Sequence, residues 1–377
     1  MRRLNLKSGW WLVAAAITLT ACGSDPVDEV LTEVDPPQID YIEEGEDLEV
    51  TGNENTGNDG VISHTEDMDN DGEADGAMEE KGGTVAESVM RELYLMDRNG
   101  LVAPQSLNIP RGEDELALTV EYLVQGGPVT EMLPNGFQAV LPAGTEVLNS
   151  TVSGGIATID LSENFAEYHP NQELQVLQAL TWTLTQLDGV DRVKLMMNGE
   201  ELEMMPQNGT PISSGYTRAH GINLEMNDMA DPVGTKSIVV YFLSQTDEQT
   251  YYVPVTRRVS ESQDMYEAVV SELLKGPDMM MTQLFSDFRQ EVELIDTPVL
   301  SANGTLTLNF NEAILSQLDG TAVSQDVLNM LVLSLTEQSD VQNVSLQVES
   351  EGTVLVSTGE TITEPVSRPS MVNTGEY

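Results

Sequence analysis

The residues of this chain that could do chemistry are scattered. Its three histidines, His64, His169 and His220, lie far apart, and none has a second histidine at helical spacing, so a zinc site of the H-E-x-x-H kind is absent. His169 sits just before Pro170 in a turn-forming stretch, and both it and His220 read as surface residues. No G-x-S-x-G, S-x-x-K, P-loop or G-x-G-x-x-G pattern occurs. Acidic pairs are everywhere, which strips them of meaning for general acid-base work. A glycosidase needs two carboxylates at a set separation across a cleft, and spacing along a chain does not report that.

Two local patterns are more specific. Asp67, Asp69, Asp71 and Asp75 occupy the first, third, fifth and ninth positions of a calcium loop, with Gly72 at the sixth. Met78 stands at the twelfth, where a bidentate Glu belongs, and no helix-forming segments flank the loop. Chance alternation of Asp in an acidic stretch therefore competes with a weak calcium site, and no other cofactor is expected. The second pattern ends at Cys22, the single cysteine. Arg2, Arg3 and Lys7 precede an uncharged apolar run from Trp10 to Leu19. That is the layout of an export signal, and it is short of the ~20 apolar residues of a membrane-spanning helix.

Leu19-Thr20-Ala21-Cys22 resembles the lipobox of bacterial lipoproteins. The resemblance implies a diacylglyceryl group on the Cys22 thiol, cleavage just before it, and an anchor on the outer face of the cytoplasmic membrane. Acyl burial is worth ~0.8 kcal/mol per CH₂, so two chains hold firmly. The competing reading is a secreted protein with a stray cysteine. Either way, a lone cysteine forms no internal disulfide, and the fold must rest on its core.

The elements come next. A length of 377 residues allows two ordinary domains beyond the signal. A net charge of -47 repels nucleic acid and excludes it as a partner. Residues 22–87 are rich in Asp, Glu, Gly and Asn, with Tyr41 the one aromatic, and the expectation is a disordered acidic tether.

From Met90 onward, apolar periodicity returns and occurs twice. Glu92–Met96, Leu101–Ile109 and a helix over Glu113–Gln125, stopped at Gly126-Gly127-Pro128, match Ile238–Leu243, Thr250–Arg257 and a helix over Gln263–Lys275, stopped at Gly276-Pro277. The alternating strands Gly155–Leu161 and Gly304–Phe310 follow. Helices over Glu173–Leu187 and Val323–Gln338 come next, then strands Asp191–Met197 and Asn343–Val348. The predicted fold class is α+β: two tandem two-layer sandwich domains, 88–225 and 236–358, with a linker at 226–235 and a tail at 359–377. Met279-Met280-Met281 with Leu284, Phe285 and Phe288 reads as a short helix over the second sheet, a soft partner surface being the alternative. The stretch 226–236 suits a hinge, while 209–225 could equally pack down and lock the halves together.

Several stretches closely resemble the GerMN-domain sporulation and germination lipoproteins of endospore-forming bacilli. They include Met90-Arg91-Glu92-Leu93-Tyr94-Leu95, Leu133-Pro134-Asn135-Gly136-Phe137, Thr181-Trp182-Thr183-Leu184-Thr185-Gln186, Gly221-Ile222-Asn223-Leu224-Glu225 and Tyr251-Tyr252-Val253-Pro254-Val255-Thr256. The resemblance implies α+β units similar to the ring-building modules of secretion-type channels. It also implies a non-catalytic adaptor for the channel complex between mother cell and forespore, on the mother-cell membrane facing the intermembrane space, with no small-molecule substrate. An enzyme of cortex peptidoglycan, with Asp160 or Glu163 as its carboxylate, is the alternative. Asp160 aligns with Asn309, which argues against a shared catalytic acid there, whereas Glu163 aligns with Glu312.

Overall fold

Residues 88–225 and 233–374 are described by a computed structural model, and all of them belong to one compact unit, Glu80–Tyr377. Leu19 to Cys22, His64, the Asp67 to Asp75 loop and the rest of the acidic stretch lie outside the described residues.

The first half opens with a hairpin of strands β1 (Ser88–Asp97) and β2 (Val102–Pro110). Its turn is made locally. The Asp97 carboxylate accepts from the N–H groups of Asn99 and Leu101, both at 2.8 Å, and Gly100 takes the left-handed conformation with φ 81°. Helix α1 (Glu115–Glu121) starts at Asp114, whose side chain accepts from the Ala117 N–H. It ends at Tyr122, short of the predicted Gln125, because Val124 leaves the helical path to pair with Leu141.

Strand β3 (Phe137–Gln138) adds to β1. Strands β4 (Val147–Ser153) and β5 (Ile156–Leu161) form a second hairpin. Helix α2 (Glu173–Leu184) then crosses over to β6 (Arg192–Met197), parallel to β5, and β7 (Glu200–Glu201) closes a sheet ordered β4-β5-β6-β7.

The second half repeats this plan. Strands β8 (Thr235–Gln245) and β9 (Thr250–Ser260) make its hairpin, and helix α3 (Met265–Lys275) is capped by Asp264. Strands β10 (Val299–Leu300) and β11 (Thr305–Phe310), helix α4 (Gln325–Thr336) and strand β12 (Asn343–Val348) follow, with β12 parallel to β11. Strands β13 (Val354–Leu355) and β14 (Thr361–Ile362) pair with each other, and β15 (Val366–Ser367) joins the edge of β12. Residues 361–374, set off as a tail in the sequence, are thus built into the second half. The methionine run forms no helix. Met279 is 92% exposed on a turn, while Phe285 pairs its backbone with Leu243 on the open side of β8.

Helices and sheets of both halves bury one continuous apolar cluster, with Trp182, Phe165, Phe242 and Phe310 among its members. The halves also meet at a polar seam. Tyr251 donates its hydroxyl to Asp97, Phe137 packs edge-on against Tyr251 at 4.9 Å, and Asn135 donates to Glu248.

Candidate interaction site

A strand edge presents unpaired N–H and C=O groups, and burying them without partners is costly. Each hairpin here has its edges sealed by side chains. On the outer side of β1, the Tyr94 N–H donates to Thr183 Oγ1 of α2 at 2.9 Å. In the second half the Tyr241 N–H donates to Ser334 Oγ of α4, also at 2.9 Å.

The other edges, β2 and β9, face each other and are joined by two asparagines. Asn223 accepts from the Val102 N–H at 2.9 Å and donates to the carbonyls of Val102 and Pro254 at 2.7 and 2.8 Å. Asn373 accepts from the Tyr252 N–H at 2.8 Å and donates to the carbonyls of Tyr252 and Pro104 at 2.9 and 2.8 Å. Each asparagine therefore holds one strand of its own half and reaches one carbonyl of the other. Both take the left-handed backbone, φ 45° and 55°, which Asn tolerates better than most residues. Pro104 and Pro254 suit these positions because a carbonyl is needed there and an N–H is not.

Five residues before each asparagine stands an arginine. Arg218 stacks over Trp182 at 4.5 Å and donates to Thr185 Oγ1 and Glu337 Oε1 at 2.8 Å each. Arg368 lies over Tyr241, donates to its hydroxyl at 2.9 Å, and pairs with Glu337 Oε2 at 3.3 Å. Glu337 thus bridges two arginines, one from each half. Glu92 completes the cluster, accepting from Tyr94 and Gln186. Burial pushes its carboxyl above the ordinary value, against the pull of Arg368, the Tyr94 hydroxyl and Arg218. The spacing Arg-x-x-x-x-Asn, present at both Arg218 and Arg368, was the sequence signal for this interface, and the apolar-periodicity reading did not pick it up.

Other buried charges are equally committed to structure. Glu173, 1% exposed, accepts from the N–H groups of Gln207, Asn208 and Thr210 and from the hydroxyls of Thr210 and Tyr168. Burial alone would raise its carboxyl, but these donors outweigh burial and hold it below the usual range. Arg257 is buried between Glu225 and Glu272 and donates to the carbonyls of Glu272 and Gly276 at the end of α3. Neither group was singled out in the sequence, since a lone Glu or Arg carries no spacing signal.

The residues that were singled out do not converge. Asp160 Oδ1 accepts from the Gly199 N–H at 3.0 Å, and Asn309 Oδ1 accepts from the Ser350 N–H at 2.9 Å. Both hold the turn after the parallel strand, where Asn198, Gly199, Glu349 and Ser350 all have positive φ. An acceptor oxygen is what this position needs, and acid or amide supplies it. Glu163 and Glu312 are exposed at the starts of short 3₁₀ turns. His169 meets Asn171 at the surface, and His220 stacks on Tyr216 at 4.1 Å. Among the described residues no group of three or more metal-ligating side chains could hold an ion. A cleft of about 540 Å³ beside α3 has Glu267, Glu293 and Asp296 on its walls, and Asp296 is taken up by Asn309 at 2.6 Å.

The arrangement defines a class: a duplicated α+β protein whose polar chemistry joins its own halves. A family described as Sporulation and spore germination (Germane) matches residues 92–203 and 239–353. The chain is 41% identical over 369 residues to the spore germination protein GerM of Bacillus subtilis (strain 168), covering 97% of this chain and 96% of that protein. A solved structure of the tandem GerMN domains of the sporulation protein GerM from Bacillus subtilis superimposes with a TM-score of 0.72 at 46% identity, over 77% of this chain and all of that one. The chain belongs to the Germane family and has its tandem GerMN fold.

Proposed function

We propose that this protein is a non-catalytic, lipid-anchored adaptor of endospore formation and later germination. It presents the surfaces of its duplicated body to the channel complex between mother cell and forespore. The observation that carries this is the fate of its polar residues: Glu173, Arg257, Glu337, Asp160 and both asparagines hold structure, and in the acid-lined cleft beside α3 Asp296 is taken up by Asn309. Membership of a sporulation family supports the cellular setting. The lipobox supports a tether through Cys22 on the outer face of the cytoplasmic membrane, which leaves the body free to reach partners.

Photo-cross-linking from exposed positions of the body in sporulating cells tests the reading. The expected result is capture of channel-complex proteins, lost when Cys22→Ser releases the chain from the membrane fraction. Release of muropeptides from purified cortex by the chain alone would overturn it in favour of a cortex enzyme.

A further inference from the structure

The helices that follow the two hairpins end alike. Asp114 and Asp264 cap their first turns, and twelve positions further on Gly126 and Gly276 take the left-handed conformation, φ 71° and 75°. The strands beyond them also correspond. Val147 pairs with Leu161 at the end of β5, and Leu294 pairs with Phe310 at the end of β11. Val124 and Leu274, each two positions before its glycine, therefore hold the same place in the two halves, and so do Val147 and Leu294. Between each helix end and its strand lies a cleft, of about 490 Å³ in the first half and about 540 Å³ in the second. Both fall in the range of ~300–1,000 Å³ in which proteins hold ligands. Val124 and Val147 line the first, Leu274 and Leu294 the second.

One position ahead of Val147 and Leu294, a glutamate stands on each wall. Glu146 donates its N–H to the Ser162 hydroxyl at 3.0 Å and accepts from the Ser162 N–H at 2.9 Å. Glu293 donates to Asn311 Oδ1 and accepts from the Asn311 N–H, both at 3.1 Å. The backbone is thus fixed in the same way twice. Both glutamates are exposed, and among the described residues neither carboxylate is bonded to another group. Such a carboxylate adds repulsion to an acidic chain and supports no part of the fold, yet both halves carry it. Glu121 joins Glu146 in the first cleft, whose lining has no Lys or Arg. Glu267 and Asp296 join Glu293 in the second, where Lys275 is paired with Glu272.

We propose that the two clefts are equivalent docking sites for an extended segment of a partner protein in which Lys or Arg stands beside an apolar residue. The cation meets Glu146 or Glu293. The apolar side chain lies between Val124 and Val147 in one cleft and between Leu274 and Leu294 in the other. Charge selects this occupant, because an acidic or phosphate-bearing segment is repelled by both walls. Residues 22–87 of the chain itself hold one cation, Lys81, among many carboxylates. A second copy fits no better, since cations of the body are held in its own ion pairs: Arg91 by Glu115, Lys194 by Glu201, and Arg218 and Arg368 by Glu337. The proposal deepens the adaptor reading and rests on it.

The test uses the chain from position 22 onward carrying Cys22→Ser, and an end-blocked peptide, Gly-Arg-Leu-Lys-Leu-Gly, titrated by calorimetry. Two peptides per chain are expected, with binding that weakens as added salt screens the charges. Glu146→Gln and Glu293→Gln should each leave one site, and the two together should weaken binding at least tenfold. Glu200→Gln with Glu351→Gln removes the same charge elsewhere on the surface and should leave binding near the parent. Serine in place of both peptide leucines should weaken binding at least fivefold, which separates a fitted cleft from general attraction to acid. No binding, equal loss in the two double variants, or indifference to the leucines would each overturn the proposal. So would a dimer of the chain that Glu146→Gln and Glu293→Gln dissolve, since a second copy would then fill the clefts. Cross-linking in cells is read separately, so failure here removes these clefts without deciding the adaptor role.

Discussion

Thr183 Oγ1 accepts the backbone N–H of Tyr94 at 2.9 Å across 89 positions of sequence, so a helix side chain stands where a neighbouring strand would. Ser334 does the same for Tyr241. These contacts explain the kindred stretches Thr183-Leu184-Thr185-Gln186 and Ser334-Leu335-Thr336-Glu337: the first hydroxyl of each seals a strand, and the second, on Thr185 or Thr336, receives an arginine.

Thr183→Val keeps the volume and removes the acceptor, leaving a buried N–H without a partner. The expected loss is ~1–3 kcal/mol by urea unfolding. Thr183→Ser should recover most of it. Equal stability of the Val and Ser variants would count against the hydroxyl as the cause.

Asn373→Asp is nearly isosteric, but it replaces the donating amide with acceptors beside the carbonyls of Tyr252 and Pro104. Two part-buried carbonyls lose their donor and a charge is added, so a loss of ~1–3 kcal/mol is expected. Asn223→Asp should behave alike. Because each asparagine ties both halves, a single cooperative unfolding transition should persist in the parent, and differential scanning calorimetry of the variants should show it lowered or split.

Glu173 and Glu92 should bend the pH dependence in opposite directions. Glu173 is held below the ordinary 4.5, so the native state binds fewer protons than the unfolded chain through the acid range. Its contribution is complete above the ordinary value and is lost as pH falls through the lower native one. Glu92 is raised above 4.5, so stability falls as pH rises through the interval between its unfolded and native values. Glu173→Gln should therefore cost stability at pH 7 and flatten the acid limb. Glu92→Gln should add stability at pH 7 while still accepting from Tyr94 and Gln186. Denaturant titrations between pH 3 and 7 check both signs.

Arg257→Met removes the cation between Glu225 and Glu272 and the donors to the end of α3. Stranding buried carboxylates costs ~3–5 kcal/mol. Adding Glu225→Gln and Glu272→Gln to that variant should restore part of the loss, because the charges left unpaired are then gone. A triple variant no more stable than Arg257→Met would show that the guanidinium mattered through its backbone donors.

The tandem repeat, its strand and helix order and the stop of α3 at Gly276 were legible in the sequence because they depend on local period and on a glycine-proline stop. Residues 115–121 fell short of the predicted helix because a long-range pairing of Val124 with Leu141 overrode local propensity. Met279 to Phe288 carried the apolar content of a helix, yet Phe285 is drawn to the side of β8. Asn223, Asn373, Arg218 and Arg368 join parts of the chain that no window spans. Glu173 gave no warning either, since all its donors but Tyr168 come from a loop more than thirty positions away.

The asparagine at 373 also bears on how the molecule is made. Ser106 bonds Val372 across 266 positions, and Asn373 bonds Pro104 across 269. Contacts of such high contact order close late and slow the search for the native state. Synthesis runs from the N-terminus, so the first half is made before the segment that covers its second strand exists. Its hairpin must then wait with a raw margin, open to mispairing, until nearly the whole polypeptide is made. Maturation of this body is therefore a single concerted event, and truncation near position 370 should leave a first half that is synthesised in full yet never settles.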